Sequence, residues 1–178
     1  MTTAVIDTNV LLVANNSHQD VSPECVSTCV ERLRDLMREG VVVIDSGWKI
    51  VGEYRKRTEP NQPKGVGDAF LKWILQNSAN TRHVYQVSLT ETADGCFAEF
   101  PDPDLQARFD ASDRKFVAAA FAHPDRPAVW QAADCKWLDW WPELRAAGVG
   151  VEFICPQDVR RFYTAKFPNG PEPAMPEQ

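Results

Sequence analysis

Residues 3–13 read TAVIDTNVLLV, and this stretch limits the fold more than any other. Small and apolar residues run unbroken into Asp7, and the polar pair Thr8 and Asn9 separates them from a second apolar run. A continuous apolar strand, rather than an alternating one, belongs in a sheet buried on both faces. In open parallel α/β sheets, ligands sit beyond the carboxyl ends of the strands, and Asp7 stands at such an end. An aspartate there also serves as a turn residue or helix N-cap, so Asp7 gains meaning only from what accompanies it.

The rest of the chain alternates strand and helix signals. Ser22-Pro23 is a helix start, with Ser as cap and Pro in the first turn, and a 3.6-residue stripe through Val26, Cys29, Val30, Leu33, Leu36 and Met37 runs to Gly40. Val41 to Ile44 is a second apolar strand, with Asp45-Ser46 placed to cap a helix over about Gly47 to Arg57. Helical spacing resumes over Asp68 to Gln76, and His83 to Val87 alternates as a strand. Helices are predicted for Ser112 to Ala122, with Ser112 as cap, for Trp137 to Ala147, stopped by Gly148, and for about Gln157 to Tyr163. Short strands are predicted for Ala128 to Ala132 and Val149 to Cys155.

Alternation of this kind predicts a three-layer α/β/α domain around a mostly parallel sheet. The domain is assigned to residues 1–165. Residues 166–178, rich in proline and poor in apolar residues, are predicted to be a disordered tail. No apolar run approaches the ~20 residues of a membrane span, and the N-terminus enters a strand directly, which predicts a cytoplasmic protein. Five scattered cysteines (Cys25, Cys29, Cys96, Cys135 and Cys155) include one i, i+4 pair but no second Cys/His pair at zinc spacing, and the expectation is reduced, buried thiols. The net charge of −6 is concentrated between Thr90 and Asp110, where Glu91, Asp94, Glu99, Asp102, Asp104 and Asp110 face only Arg108. That acidic stretch carries a short helix signal around Leu105 to Phe109 and is otherwise a long connection.

Three further carboxylates repay attention. Asp113 opens a helix, where a carboxylate is favoured, but Phe116, Val117, Ala120 and Phe121 flank it on the helical wheel, so it points along the buried face. A carboxylate so placed needs a cation, a metal or a raised pKa. Asp110, one turn earlier, is the alternative ligand. Asp134 follows an apolar strand as Asp7 does, and Glu53 lies at the edge of a helix stripe, where pairing with Arg57 is its other use. Converging acids require positive charge between them, and oxygen ligands suit Mg²⁺ or Mn²⁺, which hold phosphodiester oxygens and activate water. Basic residues follow each acid: Arg55 and Lys56 after Glu53, Arg114 and Lys115 after Asp113, Lys136 after Asp134. Together they suit phosphate contacts with a polyanion.

AVIDTNVLL, EYRKR, SDRKFVAAA, and VWQAADCKWLDW followed by GVGVEFICP occur in the order of the PIN domain family of metal-dependent nucleases, which the chain resembles over most of residues 3–160. The resemblance implies a metal site of Asp7, Glu53, Asp113 and Asp134, with Asn9 supporting the first acid. It implies an Mg²⁺- or Mn²⁺-dependent endoribonuclease acting on single-stranded RNA, with an antitoxin partner if it is a toxin of a toxin–antitoxin pair, and a homodimer, for which exposed tryptophans would supply an interface. Ala132 departs from the Thr or Ser usual two residues before the last acid, which weakens the support around the site. The alternative reading is a non-catalytic relative that binds RNA or protein through the same fold. A phosphatase with Asp7 as nucleophile, of the haloacid dehalogenase type, would need a second Asp where Asn9 stands.

Overall fold

The structure, a computed structural model, describes residues 1–93 and 95–176. Five short strands form one parallel sheet: β1 (Thr3–Ile6), β2 (Val41–Asp45), β3 (Val84–Val87), β4 (Val129–Gln131) and β5 (Val151–Phe153), in the spatial order β3-β2-β1-β4-β5. β1 pairs with β2 on one side (Thr3 with Val41) and with β4 on the other (Val5 with Val129), so it is the central strand. Its buried Ala4, Val5 and Ile6 explain the unbroken apolar run. From β1 the chain winds outward to β2 and β3, then returns to β4 and β5. Right-handed crossovers therefore put the helices of the two halves on opposite faces, giving the predicted three layers.

Eight helices connect the strands among the described residues: α1 (Thr8–Ala14), α2 (Pro23–Glu39), α3 (Lys49–Arg57), α4 (Val66–Asn77), α5 (Pro103–Arg108), α6 (Arg114–Ala122), α7 (Trp137–Ala146) and α8 (Pro156–Lys166). α1, α2 and α4 pack on one another, α6 lies against β1 and β2, and α7 lies against β5. None is long and apolar enough to cross a membrane.

Where structure and sequence reading differ, local chemistry gives the reason. The second apolar run near the N-terminus is the helix α1, entered at Asp7, whose side chain accepts the Asn9 N–H at 2.8 Å. The helix over 112–122 starts at Arg114, because Asp113 takes the N-cap position and the Ser112 hydroxyl donates to the Asp110 and Asp113 carboxylates instead of capping. Asp45 does cap: its buried carboxylate accepts the Lys49 and Ile50 N–H groups at 2.9 and 2.8 Å. The acidic connection carries α5, two residues earlier than predicted at its start, capped by Asp102; Phe97, Phe100, Leu105 and Phe109 are buried, and Phe109 stacks edge-on against Trp137. Of its acids, Asp94 lies outside the described residues.

The last helix runs three residues past the predicted end, to Lys166. The segment after it has no regular secondary structure, but it is tethered: the Trp141 indole donates to the Ala174 carbonyl at 3.1 Å, and Met175 packs on the core. Residues 177–178 of the predicted tail lie outside the described residues. Of the six tryptophans, Trp130 and Trp137 are buried and Trp48, Trp73, Trp140 and Trp141 are half-buried. The expectation of uniformly reduced cysteines is overturned for one pair: Cys25 of α2 and Cys155, just before α8, form a disulfide, while Cys29, Cys96 and Cys135 are free. Residues 130 positions apart come together there, a pairing that spacing alone does not reveal.

α4 approaches α1 so closely that a Cβ on Gly67 would lie 2.2 Å from the Leu11 carbonyl oxygen, whereas a Cβ on Gly52 in α3 meets nothing within 4 Å. Gly67→Ala should therefore cost about 1–3 kcal/mol of stability through forced separation of the helices. Gly52→Ala should instead gain up to about 1 kcal/mol from helix propensity. Urea denaturation of the two variants checks the opposed signs.

Candidate functional site

The carboxyl edge of the sheet is where the strand order reverses, between β1 and its neighbours, and the chain delivers acids to it from separate elements. Asp7 leaves β1 and Asp134 follows β4. Asp113 precedes α6, which lies against β1 and β2, and Glu53 comes from α3. α3 is fastened to the central strand by the buried Tyr54 hydroxyl, which donates to the Ile6 carbonyl. One residue before Tyr54, Glu53 accepts a hydrogen bond from the Thr8 hydroxyl, next to Asp7.

Asp7 is buried, and its carboxyl is held well above the usual range, first by burial and then by the negative charge of Asp113. The Asn9 N–H, 2.8 Å from the carboxylate, opposes that rise in part. Asp113 is pushed up to about 6, by burial first and by Asp134 and Asp110 next, with Lys136 opposing. Although Asp113 occupies an N-cap position, its side chain makes no cap hydrogen bond, so its oxygens are not committed to the helix. Asp113 and Glu53 thus act electrostatically on Asp7, and Asp134 acts on Asp113. The group is an open arc: the three-residue Cys25, Cys29 and Cys155 cluster is the only described set of Cys, His or acidic side chains whose ligand atoms all lie within 4.8 Å of one another.

Two lysines sit among these acids. Lys115, predicted as a phosphate ligand, is buried; its ammonium pairs with Glu53 and donates to the Ser112 carbonyl. Lys136 lies 2.7 Å from Asp110 and 3.9 Å from Asp134, which lowers the Asp110 carboxyl and raises Lys136. Asp110 is therefore an ion-pair partner more than a free ligand. Arg114 is spent on the Phe109 carbonyl and the Cys96 sulfur. Arg55 and Lys56 remain exposed at the end of α3. A cavity of about 360 Å³ opens at that side of the arc, with Lys49, Lys56, Glu53 and Lys115 in its wall. A further cavity, of about 680 Å³, is lined by Arg32, Glu152, Ile154 and Met175 among others and touches none of the four acids.

Asn9 does more than support Asp7. Its side-chain oxygen accepts the Ala132 N–H at 2.9 Å and its amide nitrogen donates to Gln131, so it pins the start of α1 to the end of β4. Ala132 supplies only its backbone here. Gln131, fully buried with its amide nitrogen lacking a hydrogen-bond partner, faces this region and was missed by sequence reasoning. A glutamine inside an otherwise apolar strand was the available signal. Thr8 was missed for the opposite reason, since threonine beside an aspartate is commonplace in turns.

No family model, curated protein or solved structure matches the chain.

The raised carboxyls make a stability prediction. With a folded pKa of about 6 against an ordinary 3.8, Asp113 holds its proton longer in the folded state, so its effect on stability is most favourable below pH 4 and becomes unfavourable as pH rises through 6. In EDTA at pH 7.5, Asp113→Asn should be more stable than wild type by on the order of 1–2 kcal/mol, the difference fading toward pH 4. Urea titrations at the two pH values test it. A variant less stable than wild type at neutral pH would show that Asp113 is not strained.

Proposed function

We propose that this chain is an endoribonuclease of the PIN type, hydrolysing phosphodiester bonds of single-stranded RNA with Mg²⁺ or Mn²⁺. The observation that carries the reading is the meeting of Asp7 and Asp113, from the central strand's end and a separate helix, at one edge: burial raises both carboxyls, the charge of Asp113 raises Asp7 further, and Asp134 and Asp110 do the same to Asp113. Natural sequences keep such repulsion where a cation or a proton has work to do there. The motif order quoted above supports the same reading, and so does a parallel sheet whose order reverses beside Asp7.

Asp7, Asp113 and Asp134 would hold the ion. Bound there, it supplies charge neutralisation at a phosphate oxygen and lowers the pKa of a coordinated water for in-line attack on phosphorus. Asn9 and Gln131 keep the end of β4 aligned with the start of α1, so the first and last acids stay in register. Thr8 and Lys115 hold the Glu53 carboxylate between them, on the water-accessible wall of the cavity, where it orients rather than ligates. Arg55 and Lys56 are the exposed cations available to phosphates. An antitoxin, for a toxin of this type, and a second copy of the chain are the protein partners that the resemblance implies.

One observation favours the second reading, a non-catalytic module that binds RNA or protein. Lys115 and Lys136 already pair with Glu53, Asp110 and Asp134, so part of the charge a metal would neutralise is neutralised within the chain.

Incubation of a labelled single-stranded RNA and DNA panel with Mn²⁺, Mg²⁺ or EDTA separates the two. Metal-dependent RNA cleavage is expected, lowered at least ~100-fold in Asp7→Asn, equivalent to losing several kcal/mol of transition-state stabilisation. Folded wild-type protein that cuts nothing with either metal, yet retains RNA in a salt-sensitive manner, would establish the binding module instead.

A further inference from the structure

We propose that Cys25, Cys29 and Cys155, once reduced, form a three-thiolate site for a thiophilic d¹⁰ cation of the Zn²⁺ type, separate from the carboxylates. All three sulfurs are buried, and each lies within 4.8 Å of the other two. α2 provides Cys25 and Cys29 one helical turn apart, and the β5–α8 junction provides Cys155. Tetrahedral zinc thiolates have Zn–S bonds near 2.3 Å, which put neighbouring sulfurs roughly 3.8 Å apart. The Cys29 and Cys155 sulfurs already stand 3.9 Å apart. Reduction breaks the Cys25–Cys155 bond, and rotation about χ1 then lets those two sulfurs separate to the same spacing.

The surroundings suit such a site. A cavity of about 480 Å³ leads to the sulfurs, with Cys25, Cys155, Ser22, Gln157, Asp158 and Arg161 in its wall, so a small cation has a path of entry. Ser22 fixes the first turn of α2 by accepting the Cys25 N–H at 3.1 Å, and its hydroxyl and N–H donate to the buried Asp158. Arg161 takes up the rest of the Asp158 charge. Asp158 is thereby spoken for, leaving the fourth position to water from the cavity, as in zinc sites with three protein ligands. Three thiolates and a divalent cation sum to one negative charge, and the Arg32 guanidinium is close enough to Cys29 to oppose it electrostatically. Without a cation, burial pushes the Cys29 thiol up to about 12, so the buried thiolate exists only with its metal.

Chemically the oxidised and metal-bound forms exclude each other. Two equivalents of a small-molecule thiol reduce the Cys25–Cys155 disulfide to two thiols and are themselves oxidised to one disulfide. The cation then displaces three thiol protons.

Cd²⁺ is the probe, because its thiolate complexes absorb in the ultraviolet. Full-length protein, reduced under argon and shown folded by circular dichroism, should bind one equivalent with thiolate-to-metal absorption, and Cd²⁺ should displace Zn²⁺ loaded beforehand. Cys29→Ser, which leaves the disulfide pair intact, should weaken binding by roughly 100-fold. Oxidised wild type should bind none at the sulfurs, and Asp7→Asn should bind like wild type. Three outcomes overturn the site: no thiolate absorption from the reduced folded protein, unchanged affinity in Cys29→Ser, or a disulfide that survives excess thiol while the protein stays folded.

Discussion

The structure depends on β1 hydrogen-bonding in parallel on both of its edges. A strand of four residues contributes little by itself, but its register with β2 and β4 fixes where every other element starts. Ile6 is the last residue of β1 and pairs with Trp130, so Asp7 emerges level with the end of β4. The Asp7 N–H donates to the Trp130 carbonyl at 3.1 Å, which continues the ladder by one bond into the edge of the site. From there the backbone turns at once into α1, using the Asp7 carboxylate as the cap. One side chain thus ends a strand, starts a helix and carries a charge that burial disfavours. Such overlap is compatible with stability only because the neighbouring amides, Asn9 and Gln131, are held by the same two elements.

Around that point the electrostatics are graded. Asp7 and Asp113 carry the cost of burial, with the charge of Asp113 raising Asp7 further and those of Asp134 and Asp110 raising Asp113. Asp110 and Lys136 form an ordinary, partly exposed pair, and such pairs contribute little to stability. Lys115 and Glu53 are more enclosed, with the ammonium also on a backbone carbonyl, so removing either partner would strand a poorly solvated charge. The site therefore divides into a strained inner half and a neutralised outer half, and a cation has most to offer at the inner one.

Much of this was legible in the sequence because the signals were local. Unbroken apolar runs located β1 and β2, Ser22-Pro23 marked the start of α2, and Gly148, with φ at 89°, ended α7. Asp7, Asp113 and Asp134 were identifiable as acids adjoining apolar segments. What escaped were features set by distant residues. The two apolar runs flanking Asp7 look alike, and only the cap geometry tells strand from helix. Gln131 reads as an interruption of a strand until Asn9 is brought beside it. Lys115 reads as a surface base following Asp113, but the start of α6 turns it inward against Glu53, 62 residues away by subtraction of their positions. Cys25 and Cys155 meet only because β5 returns to the end of α2 that the sheet order places near it.

Basic residues paired within the chain change how the net charge of −6 bears on a polyanionic partner. Lys115 and Arg114 are spent inside the protein and Lys136 pairs with Asp110 at its surface, so each adds little to the attraction felt by a polyanion at a distance. Glu91, from the acidic connection, pairs with Lys49 on the wall of the cavity beside Glu53. Exposed positive charge near the acids is thus concentrated in the last turn of α3, at Arg55, Lys56 and Arg57, where the helix C-terminus also favours it. A phosphate backbone approaching the site would be drawn to that turn and repelled by the carboxylates until a cation lies between them. Under the proposed function, binding and metal occupancy would be coupled by charge alone, each making the other more favourable by the same free energy, whichever arrives first.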